Sequence, residues 1–178
     1  MSITQICSFE KLKNGLPGIT SNWGRFLTEA SILCFESQNH PNGVEVKISG
    51  ISQCKVKFEW KIDVSEQMIN SWADEQELTE YGACGVAILL ILKLTGYTVI
   101  QRSKKGTGVD YWLGLDGEEK PFQNAARLEV SGIMAGSENV VKARVSKKIK
   151  QTAPSDGKLP AYIAVIEFSN PLSHVVKK

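Results

Sequence analysis

The chain has 178 residues, 42% of them hydrophobic and 22% charged, which suits one domain with a real apolar core. A net charge of +2 does not by itself argue for nucleic acid, and four cysteines without CxxC spacing beside only two histidines argue against zinc. The N-terminus has no apolar signal segment, and the longest apolar run, residues 83–94, falls short of the roughly 20 residues a bilayer span needs. The expectation is a cytoplasmic protein with no membrane contact and with reduced, buried thiols.

In chain order, residues 21–40 place Trp23, Phe26, Leu27, Ala30, Leu33 and Cys34 at helical spacing, one apolar stripe. PNG at 41–43 breaks the chain, and VEVKISG and KVKFEWKI follow with strict alternation. Val56, Phe58, Trp60 and Ile62 fall on one face and Lys55, Lys57, Glu59 and Lys61 on the other, as in antiparallel strands with one solvated side. DVSE at 63–66 has the form of a helix start, Asp63 capping with Glu66 three positions on. The helix that follows, with a break expected near Trp72, is apolar all round in its second half and should stop at Gly96. Then come a strand in YTVIQRS, a turn in KKGTG, its hairpin partner in VDYWLGL, a loop over 116–126 and a third strand, RLEVSGI. SENVVKARVSKKIKQ predicts a helix with Val141, Val145 and Ile149 inward and its bases outward. A Pro/Gly/Ser loop over 152–160 leads to a last strand, AYIAVIEF.

Charge is unevenly spread. Between Ile62 and Leu92 there are six acids and no Lys or Arg, whereas residues 137–151 carry five bases against Glu138 alone. That asymmetry predicts one acidic and one basic surface. The two strands over 106–114 and 126–132 each carry one carboxylate, Asp110 and Glu129. Two such groups on neighbouring strands could hold a hard divalent cation such as Mg²⁺, which prefers carboxylate and carbonyl oxygens and keeps several waters. A plainer reading gives Asp110 a place at a turn edge and Glu129 a structural ion pair with Arg127 or with a helix lysine.

The order α-β-β-β-α-β from about residue 74, with LTGYTVI, GTGVDYWLG and LEVSG in sequence, resembles the PD-(D/E)XK, or restriction-endonuclease-like, nuclease superfamily, and within it the small Holliday-junction-resolvase-like nucleases. The resemblance covers roughly residues 74–168. It implies an α/β fold: a restriction-endonuclease-like αβββαβ core at 63–178, a mixed sheet flanked by helices, with residues 1–62 as a helix and β-hairpin extension that lengthens the sheet or forms a homodimer surface. It also implies Mg²⁺ (or Mn²⁺) held by Asp110, Glu129, the carbonyl of Val130 and an acid on the first helix, Glu77 or Glu80, with Glu80 favoured. The family's lysine falls at Ser131, which carries no positive charge, so a catalytic set of Asp110, Glu129 and Ser131 needs a cation from elsewhere. Lys104, Lys105 and Lys142 are the candidates, and Lys105 and Lys142 are favoured. Lys104, Lys105, Lys142, Arg144, Lys147 and Lys148 are the expected nucleic-acid contacts. The implied function is nucleic-acid binding, DNA in the first instance, with Mg²⁺-dependent phosphodiester hydrolysis. The alternative is an inactive member of the same fold serving as a DNA-binding or protein-interaction module.

Overall fold

In the computed structural model, which describes residues 5–117, 125–153, 157 and 159–178, the long apolar segment is a helix because both its ends are capped. Asp74 accepts a hydrogen bond from the Glu77 amide at 2.8 Å to open α4 (Glu75–Thr95), and Gly96 closes it at φ 77°, a left-handed turn that favours glycine. A short α3 (Glu66–Ser71) precedes it, and the break falls at Trp72, as the sequence suggests. The cap of α3 is Ser65, which accepts from the Met68 amide at 3.2 Å, and Asp63 does not fill that place. Among the described residues α4 is the one helix with the length and composition of a membrane span, but 67% of that span is buried inside the fold. It lies against α2 (Ser21–Ser37), where Gly82 admits the α2 backbone so closely that a Cβ there would sit 3.0 Å from the Ala30 carbonyl and 2.4 Å from Cys34 Sγ. Cys7, Cys34 and Cys84 are buried free thiols and Cys54 is a half-buried one. Burial raises the Cys7 thiol to about 11, so it packs as an inert apolar group.

Eight strands form one mixed sheet with spatial order β1-β3-β2-β8-β7-β6-β5-β4. They are β1 (Gln5–Ser8), β2 (Glu45–Gly50), β3 (Cys54–Glu59), β4 (Thr98–Arg102), β5 (Tyr111–Gly114), β6 (Ala126–Ile133), β7 (Ala161–Glu167) and β8 (Leu172–Lys177). The segment from α4 to β7 runs α-β-β-β-α-β, with α5 (Glu138–Gln151) joining β6 to the parallel β7. In β7, Tyr162, Ala164 and Ile166 pack with α2, α4 and the short α1 (Phe9–Lys13), while Ala161, Ile163 and Val165 pack under α5. The strand is covered on both faces, and its sequence is accordingly an unbroken apolar run.

β1, α1 and β8 go beyond the expected elements. β8 is the consequential one: it pairs antiparallel with β7 and parallel with β2, so the N-terminal hairpin continues the same sheet. Glu167, wholly buried, accepts hydrogen bonds from the Gly136, Ser169 and Asn170 amides and holds the turn that starts β8. Most of the predicted loop over 116–126, and part of the one over 152–160, lies outside the described residues. Because β2 supplies the neighbour of β8 and α2 covers α4, cutting the chain near residue 63 uncovers both. Limited proteolysis is therefore expected to release no stable 63–178 fragment; a protease-resistant, folded one would show that the N-terminal block is dispensable.

Candidate functional site

The site begins where β5 runs out. β5 pairs with β6 at Tyr111↔Leu128, Trp112↔Arg127 and Leu113↔Ala126, and β6 continues past it to Ile133 with no strand paired to that edge among the described residues. Asp110 stands one residue ahead of β5 rather than within the strand, and it extends the pairing by other means. Its amide donates to the Leu128 carbonyl at 2.9 Å, and its Oδ2 accepts from the Val130 amide at 2.8 Å, where a strand carbonyl would otherwise be. Backbone groups of every second residue point to the same edge, so the Val130 carbonyl is aimed where the Leu128 carbonyl is.

The opposite alternation builds the second wall. Arg127, Glu129 and Ser131 share the face of β6 turned to α5, as strand geometry requires. The Arg144 guanidinium donates to Ser131 Oγ at 2.8 Å, Lys148 Nζ and Gln151 Nε2 donate to Glu129 Oε1 at 2.6 and 3.1 Å, and Arg127 donates to the carbonyls of Thr152 (3.4 Å) and Leu159 (2.8 Å). The register is geometric: two residues of strand advance about 6.7 Å and four residues of helix about 6 Å, so steps from 131 to 129 to 127 meet steps from 144 to 148 to 152. The expectation that all bases of this helix face outward is thus corrected. Lys147 and Lys150 are exposed, but Arg144 and Lys148 turn in to the sheet because Ser131 and Glu129 are polar groups on a covered face that need partners. Of the two ion-pair partners the sequence offers Glu129, the helix lysine is the one in place.

Glu129 is 2% exposed, and its carboxyl is pushed up to about 7 by burial and by the facing negative charge of Asp110, against the pull of Lys148. Burial likewise raises the Asp110 carboxyl, opposed by the Val130 amide and by Lys148 and Arg102. Each acid therefore holds protons more tightly than a free one, which is what two carboxylates sharing a confined space do.

Beside the pair opens a cleft of about 770 Å³ between α4 and α5, lined among others by Thr79, Glu80, Val130, Arg144, Lys147 and Lys148. Its floor is narrow because Gly132 lets α4 approach β6, a Cβ there falling 2.4 Å from the Thr79 carbonyl.

Asp110, Glu129, Val130 and Ser131 are thus brought together, with Arg144, Lys147 and Lys148 on one wall. Glu80 stands exposed on the other wall, and among the described residues no three His, Cys, Asp or Glu side chains gather as a metal-holding group. The expected ligand set of Asp110, Glu129, Val130 and Glu80 is therefore not assembled, since Glu80 stands apart. Lys104 and Lys105 are exposed in the turn before Asp110, and the cations that act on Asp110 are Lys148 and Arg102. Lys142 lies toward the start of α5 near His174, whose imidazole is pushed down by burial and by this lysine, not with the acids. The lysine at the acids is Lys148, which the sequence places only among the nucleic-acid contacts; Gln151 and Arg102 have no role there. A signal for them exists in the sequence: Arg144 and Lys148, four apart, match Ser131 and Glu129, two apart. Set against protein-family models, curated proteins and solved structures, the chain matches none.

Proposed function

We propose that the cleft binds nucleic acid and hydrolyses a phosphodiester with Mg²⁺ or Mn²⁺, on a restriction-endonuclease-like core made of α4, β4, β5, β6, α5 and β7. The observation that carries this reading is Lys148 Nζ 2.6 Å from Glu129 beside Asp110: the charge missing at Ser131 arrives from the neighbouring helix. The donors fit a hard cation, since two facing carboxyl groups and the Val130 carbonyl offer only oxygen, and a Mg²⁺ site with few protein ligands completes itself with water. Asp110, Glu129 and Val130 would hold the ion, which when bound supplies an activated water and a neutralising charge. Lys148 places a second positive charge beside Glu129, and Arg144, fixed on Ser131, presents a guanidinium to a phosphate in the cleft. Glu80 on the far wall discourages a phosphate from settling there, which favours the α5 side for the backbone.

Calorimetric titration with Mn²⁺ is expected to show binding to the wild type and none to Asp110→Asn, and divalent ions should support cleavage of a DNA panel spanning single-strand, duplex and junction forms. Absence of divalent binding at millimolar concentration would end the metal-dependent reading. A second reading has its own support: Asp110 is already engaged by the Val130 amide and Glu129 by Lys148 and Gln151, so the acids could serve a non-catalytic binding module. That module would bind nucleic acid equally well in a chelator and cut nothing. In either case Lys147→Ala should flatten the slope of log affinity against log salt by about 0.9 for the phosphate contact it loses, while Lys142→Ala, at the His174 end, should not change it.

A further inference from the structure

Of the aromatic residues near the start of α2, Trp23 packs partly buried against the core, but Phe26 does not go where an apolar stripe predicts. Phe26 is 36% exposed and Trp23 and Tyr81 are partly so, yet the rings are closely organised. Trp23 stacks on Phe26 with centroids 4.9 Å apart and planes 16° apart, and Phe26 meets Tyr81 at 4.9 Å and Trp72 at 4.6 Å. Trp72 is anchored beneath by its Nε1, which donates to Glu29 at 2.8 Å. The Arg102 guanidinium sits 4.2 Å from the Trp23 ring centroid, and in the pairing of β4 with β5 Arg102 stands opposite Tyr111, the neighbour of Asp110. One exposed arginine thus links the ring cluster to the acid pair.

Resting on the reading of the cleft as a nucleic-acid site, we propose that Phe26, Trp23, Tyr81 and Arg102 form a stacking platform for an unpaired nucleobase, so that the substrate class is a single strand or the single-stranded part of a branched nucleic acid. A nucleobase is the occupant that fits both halves of the surface. Its π-face stacks on an aromatic ring or on a guanidinium, and its backbone is an anion. Arg102 lies over the Trp23 ring, and Lys104 and Lys105 follow it in the exposed turn after β4. A base held in a duplex presents its edges rather than its faces, so the platform has nothing to offer a blunt duplex.

The test measures binding of oligothymidylate, an abasic oligonucleotide of equal length and a blunt duplex to the full chain in chelator, with tryptophan emission as one readout. The wild type should bind oligothymidylate more tightly than the abasic strand, with quenching of emission. Phe26→Ser and Arg102→Gln, checked for unchanged melting, should each weaken oligothymidylate binding by about tenfold or more, within the range measured for loss of one stacked base. Binding of Phe26→Ser to the abasic strand and the duplex should change far less. Equal binding of oligothymidylate and abasic strand, or no effect of Phe26→Ser, overturns the platform and leaves the cleft reading standing. Failure of all three nucleic acids to bind the wild type, both in chelator and with Ca²⁺ in its place, overturns the cleft reading, and the platform with it.

Discussion

Replacing Glu129 with glutamine is expected to stabilise the metal-free protein at neutral pH, and to reduce a pH dependence that the wild type shows. Glu129 has its carboxyl raised from the ordinary 4.5 to about 7 in the folded chain. Folding therefore takes up a proton between those values, and the stability that this linkage contributes is fully present below about 4.5 and lost as pH rises through about 7. Above that range the carboxylate is an ionised group kept in a buried place beside Asp110, a cost on the order of 3 kcal/mol at 1.36 kcal/mol per pH unit. The glutamine side chain carries no such charge, and its carbonyl still accepts from Lys148. Thermal melts in chelator should thus show the wild type losing stability from about pH 4.5 to about pH 8 and Glu129→Gln losing less, since of the two raised carboxyls only Asp110 is left to titrate, so that the variant is the more stable of the two at the upper end. Lys148→Met should act the other way at that pH, since it leaves two facing carboxylates without the ammonium; breaking one partner from a buried pair costs about 3–5 kcal/mol. A Glu129→Gln variant that melts well below the wild type in mild alkali would mean that the ion pair with Lys148 outweighs the repulsion, and would favour the structural role.

Periodicity carries most of the fold into view. The unbroken apolar run of β7 and the all-round apolar face of α4 mark elements covered on every side, and the alternation at Val56, Phe58 and Trp60 marks a strand covered on one. β8 escapes because LSHVVK is short and interrupted by Ser173 and His174, so nothing local distinguishes it; only pairing with β7 and β2 makes it a strand. At the site, Asp110, Glu129 and Ser131 are legible from strand alternation alone. The partner lysine is not, because a run with five bases between 142 and 150 does not say which of them faces the sheet. The register of α5 against β6 decides that, and it depends on the length of the turn joining them. Phe26, although on the stripe, stays at its exposed edge, where it meets Tyr81 of α4 and Trp72.

If the cleft cuts nucleic acid, Lys148→Met should lower the cleavage rate by about 10²–10³, the usual loss for removing one preorganised charge from a transition state that develops negative charge. The tempting repair is Ser131→Lys, which restores the lysine where the resemblance places it. Geometry argues against it in the wild-type background. Ser131 is 8% exposed and its Oγ already receives the Arg144 guanidinium at 2.8 Å, so a lysine there sets ammonium against guanidinium in a covered space. Ser131→Lys alone should therefore destabilise the chain and add no activity. The informative variant combines Ser131→Lys, Arg144→Ser and Lys148→Met, which moves the charge back to the strand, removes its rival and vacates the helix position. Single-turnover rates with saturating Mn²⁺ read the outcome: cleavage that falls with Lys148→Met and returns in part with the triple change identifies the ammonium beside Glu129 as the group that matters, whichever element delivers it. Cleavage untouched by Lys148→Met would leave the charge at the acids without a catalytic role and return Lys148 to structure.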